Sequence, residues 1–419
     1  MTKLSSSRPP PLIPPAMPPL SARTSSAIPR TVWMLGIVSM LMDVSSEMIQ
    51  TMLPVYMVST LGLSAIWIGV IEGASVTIAM TTRLFSGVLS DIFQRRKTLT
   101  LIGYGLGALS KPFFPLADAA LTLVGAKFLD RVGKGIRSAP RDAMIADVAP
   151  PGMQGASFGL RKSLDTVGGF LGPLIAIGIM LASGGDIQLL FWIAVIPAFL
   201  AIVVLAVGVK EPARVNDAAA RREKKKLTIK DAVRLSPAVW SVIVLAVLMS
   251  GARFSEAFLL LRAQQAGWSL AWLPLVVVAM HLIYGMVAYP AGKLFDRLGA
   301  RGVLAAGMVC LAAADLALGL ADGVPLLIVG IVLWGLHMGL SQGVLAALVS
   351  SVAPAHLRAT AFGVLHLATG LAVLAGNVLA GVLWETAGPA YTFYVGAGLS
   401  LAALAVVLFM LRARPEAAA

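Results

Sequence analysis

Apolar runs of about twenty residues, the length that crosses the hydrocarbon core of a bilayer, follow one another along nearly the whole chain with short polar turns between them. The pattern predicts helical spans near 33–57, 67–89, 98–116, 119–148, 153–183, 188–209, 238–261, 270–291, 302–320, 324–350, 357–383 and 388–411. The longer ones require tilt or continuation into water. Ahead of the first span, residues 1–30 carry Pro9 to Pro11, Pro14, Pro15, Pro18 and Pro19 among serines, with no apolar run long enough for a signal peptide. A solvated, disordered tail is expected there, with docking as a polyproline II segment as the alternative.

One span breaks the apolar pattern. Between residues 121 and 148, at 100° per residue, Lys127, Asp130, Arg131, Lys134, Arg137, Ser138, Arg141 and Asp142 share an arc of roughly 140°, opposite Phe128, Leu129, Val132 and Ile136. Ionised groups facing lipid cost at least a few kcal/mol each, so this stripe must face other helices or a water-filled cavity.

Composition agrees with that class: 58% of the 419 residues are hydrophobic and only 13% charged, against ~45–50% and ~25% in soluble domains. A polytopic membrane protein is expected. The net charge of +13 falls largely in alternate loops, at Arg95 to Lys97, Arg221 to Lys226, Arg297 and Arg301, and at intramembrane sites. By the positive-inside rule both termini are cytosolic. Charge dispersed in this way gives no single soluble face for nucleic acid. The single cysteine, Cys310, can form no intramolecular disulfide.

The chain also repeats itself. Gly87-Val-Leu-Ser-Asp91-Ile-Phe-Gln-Arg95 returns as Gly292-Lys-Leu-Phe-Asp296-Arg-Leu-Gly-Ala-Arg301, and Ala156-Ser-Phe-Gly159 as Thr360-Ala-Phe-Gly363. Six spans lie between the copies, so the halves are parallel repeats about an axis along the membrane normal. The expected organisation is a tail over 1–30, a six-helix bundle over 31–209, a charged cytosolic linker over 210–236, a second bundle over 237–412 and a short tail over 413–419.

Twelve spans in two parallel halves, with GxLxD followed by basic residues after spans two and eight, resemble the major facilitator superfamily. The resemblance covers residues 31–412 and implies an all-α fold of two six-helix bundles. It further implies a cytosolic loop latch at Gly87, Asp91, Arg95 and Arg96, repeated at Gly292, Asp296 and Arg301. Arg131-Val-Gly-Lys-Gly135 resembles a fourth-helix RxxxG pattern associated with proton coupling, with Lys134 where glutamine is common. Gly168-Gly-Phe-Leu-Gly172-Pro173 resembles a fifth-helix motif associated with antiporters. Independently of family, Gly168 and Gly172 bare one helix face for close approach, and Pro173 removes a backbone donor.

Candidate chemistry follows from intramembrane charge. Asp43 and Glu47 share a face of the first span, and Asp43 lies about 15 Å along the helix from Trp33, near mid-depth. A carboxyl there is either protonated or paired, so a coupling role and a fixed salt bridge both remain open. Arg161, Lys162 and Asp165 sit early in the fifth span, where a local ion pair is the plain reading. In the seventh span Arg253 and Glu256 are three apart and expected to pair. His281, Asp315, His337 and His366 fall near mid-depth with Gln342 and Asn377. They lie on separate helices without metal-ligand spacing, so hydrogen-bonded core histidines are the alternative to a proton relay. With Arg83 and Lys111 counted, first-half cations outnumber anions, which favours an anionic or zwitterionic small-molecule substrate. Arg137 and Arg141 could instead snorkel to the inner surface.

No P-loop, GxSxG or HExxH is present, so no enzyme and no bound cofactor is expected, and a proton gradient is the natural driving force. The expectation is a monomeric transporter of the bacterial plasma membrane, most simply a proton-coupled exporter of a small organic solute. The alternatives are uptake or exchange of an organic anion or metal chelate, and a membrane scaffold or sensor that transports nothing.

Overall fold

The computed structural model describes residues 28–93, 95–150, 153–210, 235–353 and 357–410; the tail, most of the charged linker and the last nine residues lie outside these. Fourteen α-helices make up the regular structure of the described residues, with no strand. The first half holds α1 (Arg30–Gln50), α2 (Leu53–Ser59), α3 (Ala65–Phe93), α4 (Arg96–Ser110), α5 (Ala120–Val148), α6 (Gln154–Ala182) and α7 (Ile187–Gly208). The second holds α8 (Pro237–Ala252), α9 (Glu256–Gln265), α10 (Pro274–Leu298), α11 (Ala300–Gly319), α12 (Val324–Val352), α13 (Arg358–Thr386) and α14 (Pro389–Met410).

Ten stretches of the described residues are long and apolar enough to cross a membrane. The predicted third and fourth spans fall outside that set for opposite reasons. α4 has only 15 residues before it tightens into the 3₁₀ turn Lys111–Phe113, whereas α5 has 29 but carries the polar stripe.

The halves are built alike. α1 packs on α6 and α7, α3 on α5, and α4 on α5 and α7; in the second half α8 packs on α13 and α14, α10 on α12, and α11 on α12 and α14. α5 and α12 have the same length and so do α6 and α13, each pair in the register the repeat predicts.

Two predicted spans are not continuous. The first breaks between α1 and α2 at Thr51 and Met52, because Pro54 has no N–H for the carbonyl one turn back. Thr51 Oγ1 donates to the carbonyls of Glu47 (2.9 Å) and Met48 (3.2 Å), satisfying part of the interrupted ladder. The seventh breaks at Arg253 to Ser255, where the Arg253 and Ser255 backbones are extended. Ser255 Oγ accepts from Ala257 N, capping α9, while Asn377 Oδ1 accepts from Ser255 N at 2.6 Å.

Glycines set how closely helices approach. A Cβ on Gly172 would stand 2.8 Å from Val44 O and from Glu47 Cβ, and one on Gly168 would run into the Met40 backbone. The fifth-span motif therefore seats α6 against the part of α1 that carries Asp43 and Glu47. The halves themselves meet most closely away from the basic loops, where α3 lies on α13. There a Cβ on Gly73 would be 2.6 Å from Leu374 Cα. At that end α2 also meets α9, and Glu385 Oε2 of α13 accepts from Ala65 N, the first residue of α3, at 2.9 Å. Towards the basic loops the same two helices stand a little farther apart, with Met80 against Gly370 and Leu84 against Gly363.

Candidate functional site

Both helix breaks open onto one cavity of about 260 Å³ between the halves. α1 and α2 supply Glu47, Gln50, Thr51 and Pro54; α3 supplies Glu72 and Ser75; α5 supplies Arg131. From the other half come Arg253 to Ala257 of the α8–α9 break, His281 of α10 and Asn377 of α13. A helix interrupted at mid-membrane is tolerated only where its freed polar groups line a cavity, so break and cavity explain each other.

The stripe on α5 divides by depth. Lys127 pairs with Glu72 of α3. Asp130 accepts from Lys111 Nζ at 3.0 Å, which also donates to Ser46 Oγ at 3.0 Å, and both charged side chains are at most 5% exposed. Arg131 turns to the cavity, 3.7 Å from the Asp130 carboxylate, and its Nε has no hydrogen-bond partner. Lys134 is exposed between the halves, near Asp43.

Arg137 and Arg141 do not snorkel. Both are buried: Arg137 lies over the Tyr104 ring at 4.6 Å, and Arg141 donates to Ser39 Oγ (3.1 Å) and pairs with Asp142 (3.1 Å). The close seating of α4 on α5, with a Cβ on Gly133 only 2.7 Å from Gly103 O, leaves these side chains no route to the surface.

Asp43 stands one turn from Glu47, outside the cavity wall, and faces Asp165 on α6. Asp165 also meets Lys162 (3.2 Å) and Arg161 (3.9 Å), the local contacts its spacing suggests.

In the second half one expected contact is missing, and two histidines take the core positions that the sequence had left open. Arg253 and Glu256 form no ion pair, because the helix expected to hold them one turn apart is broken between them; both line the cavity instead. His337 is buried with its Nδ1 2.8 Å from Gly307 O, and it borders, with Arg253, Ser341 and Gln342, a separate pocket of about 70 Å³. His366 stacks on Phe362 of its own helix. No group of three or more His, Cys, Asp or Glu is placed to hold a metal ion among the described residues.

Of the loop motif, Gly87 is half-buried, Arg95 is exposed, and Arg96 donates to Ala143 O at 2.8 Å and pairs with Asp147, tying α4 to α5 inside one half. Gly292 is half-buried and Arg301 exposed, and the Asp91 and Asp296 side chains lie outside the described residues. Sequence reading missed Glu72, Ser75, Gln50 and Thr51 as cavity residues. Glu72 was findable, being the one ionisable residue among the first seventeen of α3.

A membrane bundle of two like halves around one polar cavity is the plan of a transporter. The chain belongs to the Major Facilitator Superfamily, whose family model matches residues 35–285 and 262–419. It is 28% identical over 388 residues to an uncharacterised MFS-type transporter of Methanocaldococcus jannaschii, covering 91% of this chain and 95% of that one. Among solved structures, a mutant of the nucleoside transporter NupG superposes with a TM-score of 0.75 at 15% identity, over 91% of this chain and all of that one. A POT family transporter in complex with 5-aminolevulinic acid superposes with a TM-score of 0.73 at 15% identity, over 91% and 96%. The protein is thus a multi-pass membrane transporter of this superfamily.

Proposed function

We propose that the protein exports a small zwitterionic or anionic organic solute in exchange for protons, by alternating access of the cavity between the halves. One observation carries the reading: guanidinium groups from both halves, Arg131 and Arg253, face a cavity that also holds Glu47 and Glu256. Guanidiniums take carboxylate or phosphate in bidentate geometry, and the two acids would receive an ammonium group. A solute bridging the arginines would reduce the cost of bringing like charges together as the cavity closes. Asp43, facing Asp165 on the part of α1 that Gly168 and Gly172 seat against α6, would be the proton-holding group beside it.

With the basic loops in the cytosol of a bacterial cell, both termini are cytosolic and the protein works as a monomer in the plasma membrane. The halves being closest away from those loops then corresponds to an inward-facing state. The two loop motifs, through Asp91 and Asp296 with their basic partners, would latch the inner ends in the opposite state. A second reading, uptake or exchange of an organic anion, is favoured by Arg131 and Arg253 both lining the cavity.

The test uses everted vesicles with an acidic interior, challenged with pooled amino acids, organic anions and drugs while the pH gradient is followed by fluorescence. Wild type is expected to dissipate the gradient with a zwitterion or anion pool, and Asp43→Asn to lose that response while inserting normally. Equal responses from the two would remove Asp43 from the coupling.

A further inference from the structure

Behind the second-half wall of the cavity lies an acid that no contact explains. Asp315 of α11 is 0% exposed, and neither carboxyl oxygen has a hydrogen-bond partner. It lies against α14 at Gly396, where an added Cβ would be 2.8 Å from Asp315 Oδ2 and 3.0 Å from the Phe254 ring. Phe254 is a cavity residue in the unwound segment between α8 and α9. The order from water inward is therefore cavity, Phe254, Asp315. Only a residue without a side chain at 396 lets the ring and the carboxyl lie so close together.

No counter-ion reaches Asp315 from the elements around α11: Arg262 of α9, whose guanidinium lies at the end of α11, donates instead to the carbonyls of Leu318, Gly319 and Ala321. α12 offers His337, whose ring is held by Gly307 two turns away; α14 offers Tyr391 and Tyr394, the latter packing against Gly319; α10 offers His281 at the cavity and Tyr284. None of them bonds to Asp315. One turn along α14 from Gly396, Ser400 is buried with its hydroxyl likewise unpartnered. A bare carboxylate left like this is among the costliest groups a protein interior can hold, and a metal ion would need more oxygen ligands than the site has. A proton meets the requirement: it adds to one carboxyl oxygen from cavity water and leaves a neutral acid.

We propose that Asp315 is a second proton-binding site, in the half opposite Asp43, reached from the cavity when Phe254 moves with the α8–α9 hinge. It is independent of Asp43 and of which solute is carried. Each half would then own one acid that gains or loses a proton as the hinge moves.

The experiment is infrared difference spectroscopy of the full-length protein in lipid nanodiscs, stepped between acidic and alkaline pH in water and in deuterium oxide. Wild type is expected to show a carboxylic C=O band that vanishes at alkaline pH and shifts on deuteration. Asp43→Asn should leave that band, Asp315→Asn should remove it, and Phe254→Ala should speed its deuteration at least tenfold. If Asp315→Asn does not accumulate, Asp315→Leu replaces it, and the Phe254→Ala rate is read on the wild-type background. A buried acid band that neither titrates nor exchanges, or one that persists without Asp315, overturns the proposal.

Discussion

The two halves share a plan yet treat charge in opposite ways. The first half carries a lattice of buried ions that satisfy one another: Lys111 with Asp130 and Ser46, Lys127 with Glu72, Arg141 with Asp142, Ser39 and Tyr104. In the second, polar groups bond mostly to backbone and none of the charged ones pairs with another among the described residues. Arg262 is used on the carbonyls of Leu318, Gly319 and Ala321, His337 on Gly307, and Asp315 on nothing. A lattice fixes geometry, since each partner holds the next. Isolated groups leave their helices free to move. The first half thus reads as the rigid reference and the second, hinged at Arg253 to Ser255, as the part that moves against it.

The hardest blow to this contrast is to cut the lattice. Lys111→Met leaves Asp130 buried with only the longer contact to Arg131, and should lower stability by about 3–5 kcal/mol, read as thermal unfolding in detergent. Adding Asp130→Leu should recover much of the loss. If the single variant unfolds like wild type, the lattice is not what holds the first half together. A smaller effect is expected at the seat of α6: Gly172→Val drives a side chain into Val44 O and should cost about 1–3 kcal/mol while abolishing Asp43-dependent transport. Smallest is the hinge, where Ser255→Ala removes the α9 cap for about 1 kcal/mol. That variant should change transport rate more than melting temperature, and the reverse would place the moving part elsewhere.

Much of this was legible in the chain. The spans, the repeat and the polar stripe follow from periodicity, because lipid tolerates neither unpaired backbone nor stray charge, and the residues obey both constraints. The breaks in the first and seventh spans were not read from the sequence, where both spans look continuous; hydropathy alone does not register a break inside an apolar run. What the sequence withheld was partnership between distant residues. Spacing suggested Arg253 with Glu256, yet Ser255 is tied instead to Asn377, 122 positions away. Arg137 and Arg141 looked close enough to water to escape, and only the glycine-lined seat of α4 on α5 prevents it. Helical wheels assign a face; they do not say which neighbour fills it.

The bond from Ala65 N to Glu385 Oε2 has a consequence for the working cycle. The first backbone donor of α3 finds its acceptor in the other half, which also places a negative charge at the positive end of the helix dipole. In the proposed alternating-access cycle, parting the halves at this end would carry that acceptor away and hand the Ala65 donor to water. In that cycle the gate would act in part as a folding reaction of one helical turn, completed as the halves meet and undone as they part.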